Sequence, residues 1–247
     1  GLTLDIEGEL TSKPYLMMTL EMLKEAGIDH EWNEESITIS HQVAKEAILT
    51  IEPDWSAASY WYSIVALSKE ASVLLPGLKP SSLQGDNEII DIMQSFGVLS
   101  EFTTAGLKLT KTTVQKRRHH FDFKSCPDLA QTIIAFCAAM GRTATFSGLE
   151  TLKIKETDRI LALQNEIAKF GARLFEEKPE VYRLDCSKNF EPTQLTFKTY
   201  DDHRMAMAFA PLALVFNSIE IEEPEVVEKS YPEFWQHLSE QGFIINS

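Results

Sequence analysis

The residue types best suited to chemistry lie within residues 149–171, where a charged cluster precedes an apolar helical periodicity. Lys155, Glu156 and Arg159 are three and four positions apart, and a helix that begins near Glu156 would project all three from its first turn. Basic side chains beside the free N–H groups of a helix N-terminus suit a phosphate or carboxylate ligand. A solvated set of ion pairs would give the same local pattern, so these residues alone leave both interpretations open.

A long internal repeat supplies the elements that must hold this cluster. Asp54, Asp128 and Asp202 are spaced 74 residues apart, and each precedes an Ala-rich apolar helix pattern. A short strand pattern follows each of these helices, and then a second, amphipathic helix that ends near a glycine, at Gly97, Gly171 and Gly242. A strand pair follows the second helix in the first two copies. We predict an α/β fold of pseudo-repeated βαβαββ units, with the apolar helices buried and the sheets outside.

The beginning of the chain matches only the later part of one repeat, because Gly27-Ile28 corresponds to Gly97-Val98. Residues 47–51 have a strand pattern, and Glu52-Pro53-Asp54 breaks it and is the candidate hinge. We therefore expect residues 1–52 to be the last partial unit of a first domain, and residues 53–247 to be a second domain of three units. The chain does not begin with Met, which favours a fragment or a processed product.

Composition narrows the class of protein. The 247 residues are 44% hydrophobic and 24% charged, as in ordinary globular proteins, and their formal net charge is −14. Such a charge argues against general binding to nucleic acid or to a membrane surface, although basic groups gathered locally can still hold an anionic ligand. The three cysteines lack metal-ligand spacing, and the chain begins without a basic signal-peptide region. We expect a soluble cytoplasmic protein with reduced thiols.

Several motifs together resemble one enzyme family, the 3-phosphoshikimate 1-carboxyvinyltransferases (enolpyruvylshikimate-phosphate synthases), which are the target of glyphosate. The motifs are KETDR (155–159), DHRMAM (202–207), SKPY (12–15), QGD (84–86) and KSYP (229–232). The resemblance implies two domains of three βαβαββ units each, arranged as an inside-out α/β barrel with the active site in the cleft between them. It further implies that this sequence covers the end of the first domain and all of the second. An N-terminal portion of the same enzyme would then be absent.

The family reaction moves the enolpyruvyl group of phosphoenolpyruvate to the 5-hydroxyl of shikimate 3-phosphate and releases phosphate. It uses no metal or organic cofactor. By the resemblance, Asp128 is the base for the hydroxyl and Glu156 is the proton-transfer acid. Locally, Asp128 also has the features of an ordinary helix N-cap after Pro127, and only the resemblance favours the catalytic role.

The same resemblance assigns the substrate contacts. Phosphoenolpyruvate is held by Arg159, His203, Arg204 and Lys229. Shikimate 3-phosphate is held by Ser12, Tyr15, Asp128, Thr151 and Lys155. Arg suits bidentate contact with carboxylate or phosphate, and Lys suits a point contact. Thr151 stands where some members of the family carry Asn, which weakens the assignment of that contact. Ser12 is also the expected N-cap of a helix that has Pro14 just inside it.

Two other functions remain open on the sequence. The sister enzyme UDP-N-acetylglucosamine enolpyruvyl transferase shares the fold and the phosphoenolpyruvate chemistry, but the KETDR motif argues against it. A non-catalytic anion-binding module, or a module like the RNA 3′-phosphate cyclases, would be built from related units. The net charge of −14 counts against RNA as a partner.

Overall fold

The computed structural model describes residues 1–8, 10–33, 35–114 and 118–246. The helices are α1 (Lys13–Glu25), α2 (Trp55–Leu67), α3 (Ile89–Gln94), α4 (Ala130–Ala139), α5 (Arg159–Ala168), α6 (His203–Phe209), α7 (Ala213–Phe216) and α8 (Phe234–Glu240). The strands are β1 (Leu2–Asp5), β2 (Glu31–Trp32), β3 (Ser36–Ile39), β4 (Ser72–Leu75), β5 (Val98–Thr103), β6 (Gly106–Lys111), β7 (His120–Asp122), β8 (Ala144–Ser147), β9 (Arg173–Lys178), β10 (Val181–Asp185), β11 (Thr196–Phe197) and β12 (Glu220–Ile221). Within these residues, no helix combines the length and the apolar character needed to cross a bilayer.

The first helix of each repeat forms the core, as predicted. Nearly all side chains of α2 and α4 are buried, and so are all those of α6 except Arg204. Helix α4 contacts both α2 and α6. A helix that is apolar on every side is stable only when neighbours surround it, and the many alanines let these helices pack closely. The three repeats therefore meet at their first helices.

The sheets lie around this core and repeat one strand order. The orders β1-β3-β2, β4-β6-β5 and β8-β10-β9 are all antiparallel and equivalent. Strand β7 extends the last of these sheets by pairing parallel with β8, and β11 pairs parallel with β12 in a separate two-stranded sheet. The fold is thus α/β with repeated units, helices inside and sheets outside. The described strands form separate sheets rather than one closed barrel.

Glycines end the second helix of each copy, as the sequence predicts. Gly97, Gly171 and Gly242 have φ angles of 80°, 91° and 93°, a region that side-chain-bearing residues rarely adopt. At Gly171 the chain also approaches a neighbouring loop closely, because a Cβ there would lie 2.1 Å from the carbonyl oxygen of Lys188. At Gly242 a Cβ would meet nothing within 4 Å. Backbone conformation alone requires the glycine at 242, and both conformation and space require it at 171.

Two local predictions were wrong, and a third was right only in part. Residues 47–51 form no strand, and the side chain of Ile48 is 97% exposed, since no described strand pairs with this segment. Ser12 occupies the N-cap position of α1 and Pro14 lies just inside, as predicted, but Ser12 has a φ of 56° and makes no capping hydrogen bond through its side chain. Helix α5 begins at Arg159 rather than near Glu156, because Asp158 is its N-cap and accepts a hydrogen bond from the Leu161 N–H. Lys155 and Glu156 therefore lie in the preceding loop.

Candidate functional site

Arg159, the first residue of α5, is the centre of a charged cluster. Its guanidinium is 1% exposed and donates to three carboxylates that come from different parts of the chain. Nε donates to Asp202 Oδ2 at 2.7 Å, Nη1 to Asp128 Oδ1 at 2.9 Å, and Nη2 to Glu156 Oε2 at 2.7 Å. A planar guanidinium with a fixed fork of donors is suited to joining several carboxylates in this way. The three acidic residues are thereby held at defined positions.

Asp128 connects this centre to two more cations. Arg204 Nη2 donates to Asp128 Oδ2 at 3.0 Å, and Lys155 Nζ lies 3.8 Å from Asp128 Oδ1. Asp128 belongs to a short 3-10 turn, Pro127–Leu129, and the N-cap position of that turn is taken by Cys126, so Asp128 is not a cap. Burial by itself disfavours the charged form of Asp128. The charges of Arg204, Lys155 and Arg159 outweigh this effect and hold the pKa of the carboxyl below its usual range.

Glu156 pairs with a fourth cation. Lys229 Nζ donates to Glu156 Oε1 at 2.6 Å, and the Lys229 side chain is 56% exposed. Partial burial of Glu156 disfavours its charge. The hydrogen bond from Lys229 and the nearby charge of Arg159 dominate and lower the pKa of Glu156 to about 2. Both proposed acid–base groups, Asp128 and Glu156, are therefore ionised at neutral pH in this arrangement.

Asp202 is the most deeply buried member of the cluster. Its side chain is fully buried, Oδ2 accepts from Arg159, and Oδ1 accepts from the backbone N–H of Arg204 at 2.9 Å, which caps α6. His203 is 5% exposed, and its Nδ1 lies 3.8 Å from Asp202 Oδ1, too far for a hydrogen bond. Burial and the charge of Arg204 lower the pKa of His203, which favours its neutral form.

Tyr15, which comes from the beginning of the chain, adjoins the cluster through a second buried carboxylate. Asp86 is fully buried and accepts a short hydrogen bond from the Ser56 hydroxyl. Burial raises the pKa of Asp86 to about 6, and the charge of Asp128 acts in the same direction. Burial and the charge of Asp86 raise the pKa of the Tyr15 phenol above its ordinary range. Helix α1 thus places Tyr15 beside residues of the QGD motif.

Among the described residues, no hydrogen bond or ion pair joins Ser12 or Thr151, the two remaining residues of the sequence assignment, to this network. The backbone N–H of Ser12 donates to the Lys124 carbonyl at 3.1 Å, which places Ser12 near the loop that precedes Asp128. Thr151 lies in the 3-10 turn Glu150–Ile154, and its buried hydroxyl has no hydrogen-bond partner in the described part of the chain. A buried hydroxyl without a partner is uncommon, and a ligand oxygen is one way to satisfy it.

The cluster combines four cations with three carboxylates, and a fourth carboxylate, Asp86, lies beside it. Its cations are Lys155, Arg159, Arg204 and Lys229, and its carboxylates are Asp128, Glu156 and Asp202. In a chain of net charge −14, these four neighbouring cations are groups that could hold an anionic ligand if they exchange their carboxylate partners. Of the residues the structure describes, no three His, Cys, Asp or Glu side chains are arranged to hold a metal ion.

Sequence reasoning did not assign Asp202 and Asp86 to the site. Asp202 precedes an apolar helix in the sequence and caps that helix, but it is also the buried partner of Arg159. Asp202 occupies the repeat position equivalent to Asp128, and this equivalence is the sequence signal that indicates a place in the same cluster. Asp86 is part of the QGD motif, but no pattern in the neighbouring sequence indicates that its carboxylate is buried.

The chain matches known proteins over nearly its full length. The family description "EPSP synthase (3-phosphoshikimate 1-carboxyvinyltransferase)" matches residues 1–238. A 3-phosphoshikimate 1-carboxyvinyltransferase of Bacteroides fragilis is 43% identical over 246 residues, which is 99% of this chain and 60% of the relative. One from a Sulfurovum species is 33% identical over 238 residues, 95% of this chain and 54% of the relative. The chain therefore spans about 60% of the length of its curated relatives, or less.

Solved structures agree on the fold. EPSP synthase from Acinetobacter baumannii superposes with a TM-score of 0.73 at 18% identity, over 99% of this chain and 57% of that one. An enolpyruvyl transferase from Streptomyces tendae gives a TM-score of 0.64 at 14% identity, over 97% of this chain and 55% of the other. With the match to residues 1–238, these findings show that the chain belongs to the EPSP synthase (3-phosphoshikimate 1-carboxyvinyltransferase) family.

Proposed function

We propose that this chain contributes to transfer of the enolpyruvyl group of phosphoenolpyruvate to the 5-hydroxyl of shikimate 3-phosphate, with release of phosphate. The observation that carries the proposal is the convergence of four cations on Asp128 and Glu156, within 3.8 Å, in a chain of this family. The substrates bring two phosphates and a carboxylate, which need cationic partners. The acceptor hydroxyl and the enol methylene need a base and an acid.

The roles follow the chemistry of each group. Ionised Asp128 accepts the proton of the acceptor hydroxyl, while Arg159, Arg204 and Lys229 hold phosphoenolpyruvate and His203 lines its site. Shikimate 3-phosphate contacts Ser12, Tyr15, Thr151 and Lys155 as well as Asp128. In the net reaction, one C–O bond forms between enolpyruvyl and the acceptor, and the C–O bond to phosphate breaks.

Glu156 needs a change of partners before it can act as an acid. With Lys229 and Arg159 bound to it, its pKa of about 2 keeps it ionised. We infer that substrate anions take over these cations, which removes the stabilisation of the carboxylate and lets Glu156 carry a proton to the methylene carbon. The same exchange at Arg204 makes Asp128 a stronger base. Substrate binding would thus prepare both groups for proton transfer.

The whole activity is expected to need residues beyond these 247. The chain spans 60% of the length of the Bacteroides relative, and its cation Lys229 is more than half exposed. We propose that residues 1–52 are the last partial unit of a first domain and that residues 53–247 are the second domain. An N-terminal portion of the same enzyme would face the cluster. Without it the charge contacts remain screened by water, and the chain alone is not expected to turn over.

Calorimetric titration with phosphoenolpyruvate tests the binding part of the proposal. Arg204→Met and Lys229→Met should each weaken binding, because each removes a cation from the cluster. Arg183→Met is the charge-matched control, because the Arg183 side chain is 46% exposed and pairs with Glu177 on the neighbouring strand of a sheet. Asp128→Asn should retain or tighten binding, since it frees Arg204 from a competing carboxylate. Equal effects of the Arg183 and Arg204 variants would refute the assignment.

Phosphate release tests the catalytic part. The chain is joined to the complementary portion of the Bacteroides relative and incubated with phosphoenolpyruvate and shikimate 3-phosphate. Asp128→Asn should abolish turnover while phosphoenolpyruvate still binds. Replacing shikimate 3-phosphate with UDP-N-acetylglucosamine should give no phosphate release. Turnover that survives Asp128→Asn, or that prefers the sugar nucleotide, would contradict the proposal.

A further inference from the structure

A buried carboxylate outside the charged cluster holds the loop that leads into Asp202 and into α6, the helix that begins with His203 and Arg204. We propose that this residue, Glu166, positions Arg204 for phosphoenolpyruvate by clamping Tyr200. The inference rests on the proposed function, in which Arg204 binds that substrate. Glu166 itself touches no reacting group, so its role is positioning.

The partners of Glu166 point to this role. Its side chain is fully buried on α5, where an ionised carboxylate persists only with good partners. Oε1 accepts from the Tyr200 hydroxyl at 2.8 Å. Oε2 accepts from the backbone N–H of Lys198 at 3.0 Å and from Lys169 Nζ at 2.6 Å. Two of the three donors thus belong to the segment that leads into Asp202.

One face of helix α5 and its C-cap residue, Lys169, hold the loop at residues 196–202. Arg159, Glu166 and Lys169 are separated by seven and three positions, which places them on one side of a helix. Arg159 binds Asp202 at the end of the segment, and Lys169 Nζ donates to the Thr196 carbonyl at 2.8 Å near its start. Glu166 binds the middle. The rigid helix therefore fixes the loop at its start, middle and end.

The loop is strained where Glu166 holds it. Tyr200 and Asp201 have φ angles of 57° and 56°, so two successive residues with side chains adopt the left-handed conformation. Such conformations are unfavourable and persist only when surrounding contacts impose them. The hydrogen bond from the Tyr200 hydroxyl to Glu166 is one of the contacts that hold the Tyr200 side chain in place while its backbone has this conformation. Without it the backbone can relax before Asp202, and the start of α6, with Arg204, moves with it.

Tyr200→Phe tests the inference with the smallest change, because it removes one hydroxyl and leaves Lys169 and Lys198 bound to Glu166. The matched control is Gln164→Met, which removes one hydrogen bond from the same helix to the Leu174 carbonyl, away from the loop. Titration calorimetry with phosphoenolpyruvate separates the two roles. Positioning predicts a Kd about five- to tenfold higher for Tyr200→Phe, with unchanged stoichiometry. A purely structural role predicts fewer competent sites at unchanged Kd.

Hydrogen exchange gives a readout that needs no ligand. Tyr200→Phe should speed exchange in residues 196–209, including the Arg204 N–H that donates to Asp202, whereas Gln164→Met should not. If the unsubstituted protein binds no phosphoenolpyruvate, alone or joined to the Bacteroides portion, the proposed function fails and this inference fails with it. If it binds and Tyr200→Phe matches it in Kd and exchange, only the role of Glu166 is refuted.

Discussion

Replacing Asp202 with Asn should destabilise the protein strongly, although Asn has nearly the same shape. Asp202 Oδ2 accepts from the buried Arg159 Nε at 2.7 Å, while Oδ1 caps α6. Asn offers one oxygen, so it can keep the cap but not the ionic contact. Removing one partner of a buried ion pair costs about 3–5 kcal/mol. Because Arg159 keeps Asp128 and Glu156, we expect the lower end, about 3 kcal/mol.

Urea unfolding and thermal melting measure this cost, with Asp54→Asn as the matched control. Asp54 occupies the equivalent repeat position and caps α2 through the Ser56 N–H at 2.8 Å, but it is exposed, and the nearby charge of Arg204 acts on it only at longer range. Asn is about as good a cap as Asp, so this variant should change stability by only a few tenths of a kcal/mol. Asp202→Asn should lower Tm by about 6–12 °C. Similar losses from the two variants would refute the argument that the buried ionic contact matters.

Three further predictions concern individual positions. Asp86 has a pKa raised to about 6 by burial, so its contribution to stability is complete below its ordinary pKa and is lost as pH rises through 6. Asp86→Asn should therefore gain up to about 3 kcal/mol over the unsubstituted chain between about pH 4 and pH 8 in urea unfolding, and a constant difference would contradict this. Lys229→Met should change stability by less than about 1 kcal/mol, because the pair is exposed, yet raise the pKa of Glu156 from about 2 in an NMR titration. Gly242→Ala should cost about 1–2 kcal/mol through its φ of 93° alone, and Gly171→Ala clearly more, because its Cβ also meets a carbonyl oxygen at 2.1 Å. Equal melting temperatures for the two glycine variants would exclude a role for the close approach.

The repeat could be predicted because its signals are local. The aspartates at 74-residue spacing, the apolar helices and the glycines after the second helices each depend on neighbouring residues alone. The start of α5 is also encoded locally, since Asp158 is a good N-cap, but the charged residues of the KETDR motif have the spacing of a first helical turn. The helix was therefore predicted to begin too early because two local patterns compete, and not because the sequence lacks a capping residue.

Contacts between distant residues could not be predicted in the same way. Residues 47–51 have a strand pattern, but a strand exists only where a partner supplies hydrogen bonds, and the described structure has none there. The motifs predicted that Arg159 and Arg204 belong together. They did not reveal that the Arg159 guanidinium joins three carboxylates, two of which are 31 and 43 residues away in the sequence. Nor did they reveal the hydrogen bond between Glu166 and Tyr200, which are 34 residues apart.

The three repeat aspartates show how one repeated position can take on different tasks. Asp54 caps α2 through one carboxylate oxygen. Asp202 keeps the cap with one oxygen and binds the buried Arg159 with the other. Asp128 is not a cap, and its two oxygens contact Arg159 and Arg204. The repeat thus fixes where a carboxylate stands in each unit, and the arginines around it decide whether that carboxylate caps a helix, binds a guanidinium or does both.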